Sequence, residues 1–487
     1  MSGVLAAIER HARERPDAPA ILSAGATLSY AELQSAIDQA AQILARRAVR
    51  VLGIAMDNGP AWAIWDLAAR RQGVCVVPIN AFFSSGQLAH VLRDAGVGAV
   101  LNDTGHDYAA GGFPVGWADI PGDPGRALPQ GTAKVTYTSG TTGTPKGVCL
   151  SPRAMDRVAA SLAALVQAAP ADRHLSVLPL SVLLENIAGL YVPLLAGASV
   201  VLRPLRDIGL QGSSAVDARR LLAALQDSAA TTTLMVPGML EALTRTDAEA
   251  GFALPRLRLL AVGGGRVAPE LIRRARDRGL PVYQGYGLSE CASVVSLNIP
   301  GDDDLESVGR PLPHLDIAFA DDGEVLVRNP GFLGYLGRPG QAPAWWPTGD
   351  LGRLDERGHL HILGRKKNLF ITAFGRNVSP EWVEAELTAE PSILQAAVYG
   401  EARPFNTAVI VSHRSAATVQ AAIARVNARL PDYARVGAWV AADAPFGMEN
   451  GLATANGRPL RERVQAAYAT RLEQMYADSN SPKEHSL

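Results

Sequence analysis

Short apolar runs alternate along this chain with longer stretches of helical periodicity, and that alternation constrains the fold more than any single residue. Helical stretches at Tyr30 to Arg47 and Gly86 to Ala95 are interleaved with apolar runs at Val51 to Met56, Val74 to Val77 and Ala99 to Leu101. Runs this short, separated by helices and bounded by glycine and proline, predict parallel sheets with helices on their faces. The pattern recurs at Leu175 to Leu178, Thr233 to Val236, Leu259 to Val262 and Val282 to Tyr283, which makes the expected fold class α/β. From Ile317 to Asn329 the alternation tightens around Asp321-Asp322-Gly323, a hairpin signal, so a β-rich subdomain is expected there. The charged run Gly364-Arg365-Lys366-Lys367-Asn368 then breaks the pattern, and a compact α+β segment follows. The expected division is a large N-terminal domain over residues 1–364, a joint at 365–367 and a small C-terminal domain over 368–487. Residues beyond Tyr476 are polar and expected to fray.

Composition excludes several classes. With 487 residues, 48% of them hydrophobic, the chain carries enough apolar material for more than one core. Net charge is −1 and the basic residues are scattered, so nothing marks a nucleic-acid face. Only five lysines occur, at 134, 146, 366, 367 and 483, so nearly all positive charge is arginine. Cys75, Cys149 and Cys291 are far apart, odd in number and without metal-type spacing. Together with an N-terminus that lacks the apolar core of a signal peptide, they point to the cytoplasm. The longest apolar stretch, Leu183 to Leu202, contains Glu185, Asn186 and Pro193. An acid at the centre of a spanning helix costs roughly 2.5–3.5 kcal/mol, so this stretch reads as a buried helix running into a strand at Ala198 to Leu202.

The chemistry concentrates at residues 137 to 147, Tyr-Thr-Ser-Gly-Thr-Thr-Gly-Thr-Pro-Lys-Gly, fed by a strand from Ala133 to Tyr137. Gly140, Gly143 and Gly147 let backbone N–H groups converge on oxygens. Thr138, Ser139, Thr141, Thr142 and Thr144 add hydroxyl donors, and Lys146 adds a mobile point charge. Such a loop suits polyphosphate. The phosphate loop of ATPases and GTPases is excluded, because Lys146 lies between Pro145 and Gly147 with no Ser or Thr after it.

The loop resembles the signature of the adenylate-forming superfamily, whose members include acyl-CoA synthetases, luciferase and peptide-synthetase adenylation domains, and it is most similar to that of the acyl-CoA synthetases. Further segments follow in the family's order, so the resemblance spans about residues 10 to 465. In Gln284-Gly285-Tyr286-Gly287-Leu288-Ser289-Glu290, after a short strand, the resemblance implies that Tyr286 packs on adenine beside Gly287, Ser289 touches the α-phosphate and Glu290 holds Mg2+, with Thr138 as a second oxygen ligand. In Trp346-Pro347-Thr348-Gly349-Asp350, it implies that Asp350 accepts from both ribose hydroxyls, with Arg365 approaching ribose and phosphate. It places Lys367 at the hinge and Gly375 at the thiol tunnel. Ser379-Pro380-Glu381 reads independently as the start of a helix, with Ser379 as N-cap.

One segment departs from the family. Gly451 to Arg461 resembles its C-terminal loop, which normally ends Asn-Gly-Lys, yet here Arg458 stands at the lysine position. Arginine keeps the charge but presents a longer, planar fork.

Met235, Val236, Pro237 and Met239 supply apolar walls, and Gly263, Gly264 and Gly265 are expected to line the acyl pocket, Gly264 and Gly265 also lying along the nucleotide. Val182 stands where the long-chain synthetases usually carry histidine. No Asp or Arg precedes Arg266 in these pocket segments to pair with a second charged group, so the expected substrate is a hydrophobic monocarboxylate, fatty or aryl. Three activities fit: an acyl-CoA ligase using ATP, Mg2+ and CoA; an acyl-AMP ligase that loads the pantetheine of a separate carrier protein; and a nucleotide-binding protein disabled at Arg458.

Overall fold

The computed structural model describes residues 3–81, 83–121, 127–138, 145–211, 215–246, 252–338, 343–454 and 457–479. Local signals place the helices. Helix Tyr30–Arg47 starts at a capping box, in which the Ser29 hydroxyl and the Glu32 carboxylate each accept from the other's backbone N–H, and it ends where Ala48 turns left-handed. Leu33, Ala36, Ile37, Ala40 and Leu44 form its buried stripe. Helix Pro60–Arg71 begins on proline and buries Trp62 and Trp65 completely.

Two large mixed sheets carry these helices. In the first, strands Pro19–Ser23, Ser199–Val201, Arg173–Leu175, Thr232–Met235, Leu259–Val262 and Val282–Tyr286 run parallel in that spatial order, with antiparallel strands at both edges. The second has a parallel centre of Lys134–Thr138, Cys75–Pro78, Val51–Ala55 and Ala99–Asn102, flanked again by antiparallel strands. The expectation of parallel sheets therefore holds at the centres and gives way at the edges. A four-stranded antiparallel sheet forms around the Asp321-Asp322-Gly323 turn. After Phe370, a three-stranded sheet with helices Pro380–Thr388 and Ala416–Arg429 builds its own apolar clusters.

The sequence boundaries shift in instructive places. The strand expected at Leu175 to Leu178 is Arg173–Leu175 instead, because its parallel partners Ser199–Val201 and Thr232–Met235 end their pairing at Leu175. The Leu183 to Leu202 stretch opens as a π-helix, Glu185–Tyr191, before the α-helix Val192–Ala196 and strand Ser199–Val201. The fully buried Glu185 carboxylate crowds Gly189, where a Cβ would stand 1.9 Å from Oε1. Glu185 is held by His174 Nε2 at 3.1 Å and by the Leu178 N–H at 2.9 Å. No described helix is long and apolar enough to cross a membrane. The three cysteines are free and buried, and burial pushes the Cys149 thiol up to about 11.

A polar knot sits between the second sheet and the helices. Lys134, 2% exposed, donates to Asp66 at 2.7 Å, to Asn186 and to Tyr191 at 3.3 Å, while Tyr191 donates to Asp66 at 2.6 Å. Sequence reading took Lys134 as one residue of an alternating strand and assigned it no partner.

The C-terminal sheet unit is gripped by two arginines of the first sheet's helices. Arg245, paired with Glu241 at 2.6 Å, donates to the carbonyls of Ile393 at 2.5 Å, Thr388 at 3.3 Å and Glu390 at 3.4 Å. Arg274 donates to Ala389 O at 2.7 Å. These carbonyls lie at and just beyond the end of helix Pro380–Thr388, where the helix dipole favours cations.

Candidate active site

Lys146 and Thr138 face each other across an antiparallel pair, at the base of the hydroxyl-rich turn. The strands on either side of the hydroxyl-rich segment therefore pair antiparallel. Ser139, Gly140, Thr141, Thr142 and Gly143 lie outside the described residues. Gly147 is dictated by packing: a Cβ would meet Val135 at 2.8 Å and the Tyr137 ring at 3.2 Å. Helix Ser85–Ala95 supports the base, with His90 Nε2 3.1 Å from Pro145 O and Asp94 accepting from the Tyr137 hydroxyl at 2.9 Å. None of these supports was singled out from sequence.

Strand Val282–Tyr286 carries Gln284, Gly285 and Tyr286 itself, a correction to the expectation that this motif follows a short strand. The extension comes from pairing with Ser296–Leu297, which adds ladder bonds at Gly285 and Tyr286. Tyr286 reaches the four-stranded sheet, where its hydroxyl donates to Asp350 Oδ2 at 2.5 Å. Asp350 and Arg365 are directly opposite in the pairing of Trp345–Leu354 with Leu360–Arg365, and Arg365 Nε lies 2.9 Å from Asp350 Oδ1. The carboxylate is 3% exposed. Burial pushes its pKa up, against the opposing pull of Arg365 and the Tyr286 hydroxyl, and burial likewise pushes the Tyr286 phenol up. Each Asp350 oxygen keeps a lone-pair direction beyond these bonds.

Ser289 and Glu290 form a short 3-10 turn just after Gly287. Gly287 is fixed by backbone approach, since a Cβ would stand 1.6 Å from Ser293 O. The Tyr335 hydroxyl donates to Glu290 Oε1 at 2.6 Å, and the Lys146 ammonium lies 6.0 Å from the Tyr335 ring centre. Tyr335 thus stands between the lysine and the acid, and sequence reading missed it. The only available signal was its place in the Phe332 to Tyr335 run, which pairs with Lys146–Leu150. Phe332, Tyr335 and Trp346 pack edge to face, which fixes the Tyr335 ring.

Gly263, Gly264 and Gly265 follow strand Leu259–Val262. Nothing lies closer than 3.6 Å to a Cβ built on Gly263, where Gly285 O and Leu184 are the neighbours, so packing alone does not demand glycine there. Gly264 is left-handed at φ +81°, and its carbonyl accepts from Arg458. Val182 is half-buried at the approach to the π-helix, whereas Met235 is fully buried in the apolar core.

Arg458 spans the distance from the C-terminal unit. Its guanidinium is crowded by protein yet reached by water, standing in an open cleft with Arg365, Glu381 and Asp350 as the nearest acting charges. Crowding and then Arg365 push its pKa down, and the two carboxylates oppose this. Lys367, whose pKa is lowered by burial, feels Arg365 and Lys146 next. Ser379 stands at the N-cap of helix Pro380–Thr388, but its hydroxyl turns to Glu381 at 3.2 Å instead of capping a backbone N–H. Gly375, left-handed at φ +71°, lies on an exposed loop whose Phe374 is 76% exposed. The structure thus gathers Tyr286, Asp350, Arg365, Gly264 and Arg458 on one side and Lys146, Thr138, Tyr335 and Glu290 on the other.

Two family models match the chain: AMP-binding enzyme over residues 8–337 and AMP-binding enzyme C-terminal domain over residues 367–480. The chain is 30% identical over 447 residues to an indoleacetate–CoA ligase of Aromatoleum aromaticum, spanning 81% of this chain and 84% of the relative. It is 30% identical over 428 residues to a feruloyl-CoA synthase of an Amycolatopsis species, spanning 81% and 85%. Among solved structures, the O-succinylbenzoate coenzyme A synthetase of Bacillus subtilis in complex with ATP and magnesium is similar at a TM-score of 0.76 and 25% identity, over 94% of this chain and 99% of that one. The chain belongs to the AMP-binding enzyme family. It is an AMP-forming acid–thiol ligase: a carboxylic acid is activated with ATP and then joined to CoA, with Mg2+ as the metal.

Proposed function

We propose that the acid is a hydrophobic monocarboxylate bearing an aryl group, and that Arg458 occupies the role a lysine fills elsewhere in the family. The observation that carries this reading is the reach of Arg458 across the cleft to Gly264 O, beside Asp350 and Arg365. The aryl assignment is supported by the relatives' named acids and by Gly263, where a small side chain would fit without a clash. We also assign the protein to the cytoplasm.

In this mechanism the acid's carboxylate attacks the α-phosphorus of ATP and pyrophosphate leaves. The barrier is dominated by repulsion between anions, so the chain's task is positioning and charge dispersal. Asp350 holds the ribose diol through its remaining lone pairs, with Tyr286 against the base. Lys146 draws charge from the departing pyrophosphate. Arg458 holds the acid's carboxylate in line, its fork donating to carboxylate and α-phosphate together. The hard oxygen donors of Glu290 and Thr138 fit Mg2+, which when bound neutralises phosphate charge. Residues 368–487 then swing about Lys367, withdrawing Arg458 and bringing the Gly375 loop to line the path of the CoA thiol.

The test is pyrophosphate release and AMP formation from MgATP over a panel of indoleacetate, ferulate, benzoate and straight-chain acids, with and without CoA. AMP formation that requires an aryl acid and CoA supports the reading. Release without CoA turnover would favour a carrier-protein acceptor, and no release with any acid would indicate binding alone. Gly263→Val is expected to lower kcat/KM for aryl acids by about 10- to 200-fold while sparing short-chain acids; equal losses across the panel would remove Gly263 from the pocket. Tyr335→Phe is expected to raise the Mg2+ concentration for half-maximal rate about tenfold, and an unchanged Mg2+ titration would separate Tyr335 from the metal site.

A further inference from the structure

A second group of ligating side chains lies on the four-stranded sheet, around the turn that links Trp345–Leu354 to Leu360–Arg365. One ligand atom each from Asp304, Asp355 and His361 falls within 4.8 Å of the others. His361 Nε2 and Asp355 Oδ2 are 3.1 Å apart. His361 Nδ1 faces the Glu306 carbonyl at 3.1 Å, so this nitrogen bears a hydrogen and Nε2 is the atom presented to the carboxylate. His359 is fully buried. Its Nε2 faces Asp302 at 3.0 Å, leaving Nδ1 without a hydrogen-bond partner and 3.6 Å from the same Asp355 oxygen.

Ring nitrogens thus converge on Asp355 Oδ2 from two buried rings. A single added proton on His361 would satisfy one of them, yet would leave His359 Nδ1 without a partner. A divalent cation would draw Asp304, Asp355 and His361 onto one centre. Two bonds of about 2.1 Å to atoms 3.1 Å apart subtend about 95°, an angle open to zinc-like ions bound by imidazole and carboxylate.

The frame is also fixed before any ion arrives. Asp355 Oδ1 accepts from the N–H groups of Arg357 and His359, both at 2.9 Å, leaving Oδ2 for the ion. Asp304 Oδ1 accepts from Glu306 N–H at 2.8 Å, and the buried Asn298 ties that loop down. Asp302 is taken by Arg310 at 2.5 Å and by His359, and is not a ligand. Asp304 and Asp355 are half-exposed, so water can complete the coordination.

We propose that Asp304, Asp355 and His361 form a structural site for a zinc-class divalent cation, with His359 Nδ1 packed against the Asp355 ligand oxygen. The ion joins the 302–307 loop to the hairpin whose far end carries Asp350 and Arg365, and it is distinct from the Mg2+ ligand Glu290.

The test is zinc uptake by tag-free, chelator-treated enzyme in equilibrium dialysis, read by metal analysis and by the zinc-dependent shift in Tm. The intact enzyme is expected to retain one equivalent and to gain Tm. Asp304→Asn, which can still accept from Glu306 N–H, and His361→Ala are each expected to lower zinc affinity at least tenfold and to lose the Tm gain. Glu290→Gln is expected to retain both. If His361→Ala does not fold, Asp304→Asn alone decides. Equal uptake by parent and variants, meaning adventitious surface zinc only, would overturn the proposal, as would no uptake at about 100 μM zinc, far above the affinities of structural sites.

Discussion

An Arg458→Ala enzyme is expected to release pyrophosphate about 10²- to 10³-fold more slowly than the parent at saturating acid and ATP, the usual cost of deleting one preorganised donor to a developing charge. The loss should fall on kcat for adenylate formation and spare the second half-reaction, because in the proposed mechanism Arg458, which here reaches Gly264 O from the C-terminal unit, acts only in the first step. Supplying synthetic acyl-adenylate and CoA and measuring thioester therefore separates the two steps. Near-parental thioester formation beside collapsed pyrophosphate release is the expected pair of results, and equal collapse of both would mean that the arginine is structural. Arg458→Lys is informative in the other direction. Lysine restores the charge but not the planar fork, and the arginine here bridges Gly264 O while balanced among Arg365, Glu381 and Asp350. A variant faster than alanine and slower than the parent is expected, which would show a cleft adapted to the longer side chain.

The second large effect is on stability and concerns Lys134 and Asp66. Removing either partner of a buried ion pair strands the other charge, at a cost of about 3–5 kcal/mol. Asp66→Ala is therefore expected to lower the midpoint of chemical unfolding by that equivalent. Lys134 is nearly inaccessible and burial already pushes its pKa down, with the Asp66 carboxylate holding it up. Replacing both residues by apolar ones of similar size, Lys134→Met with Asp66→Leu, is expected to recover much of the loss, although Asn186 and the Tyr191 hydroxyl would then need new partners. A single Asp66→Ala variant as stable as the parent would mean that the knot contributes nothing.

Elements governed by local signals were legible in the sequence. Ser29 and Glu32 announce helix Tyr30–Arg47, and the run Leu259 to Val262 is the strand without adjustment. Features decided by distant pairing were not. Tyr286 joins its strand only because Ser296–Leu297 lies beside it, and the Ser379 hydroxyl abandons its cap for Glu381. The candidate site divides in the same way. Residues in glycine-punctuated motifs, such as Asp350 and Glu290, could be named from sequence, because those motifs resemble a known family's in kind and order. Tyr335 and His90 could not, since each sits in an unremarkable run and acquires its neighbours across strands or from another helix. Lys134 shows the converse: one charged residue in a strand gives no hint that Asp66, Asn186 and Tyr191 wait to receive it.

The arginine grip on the end of helix Pro380–Thr388 has a consequence for timing. Arg245 and Arg274 hold a cluster of carbonyls from one short stretch of backbone, so a swing about residues 365–367 cannot release them one by one. On the proposed swing all would be surrendered together, and each guanidinium N–H left without an acceptor would add a cost. On the proposed swing, the C-terminal unit would act as a detent with a seated position and a released one, and the dwell in the seated position would set how long the adenylate stays shielded before a thiol can reach it.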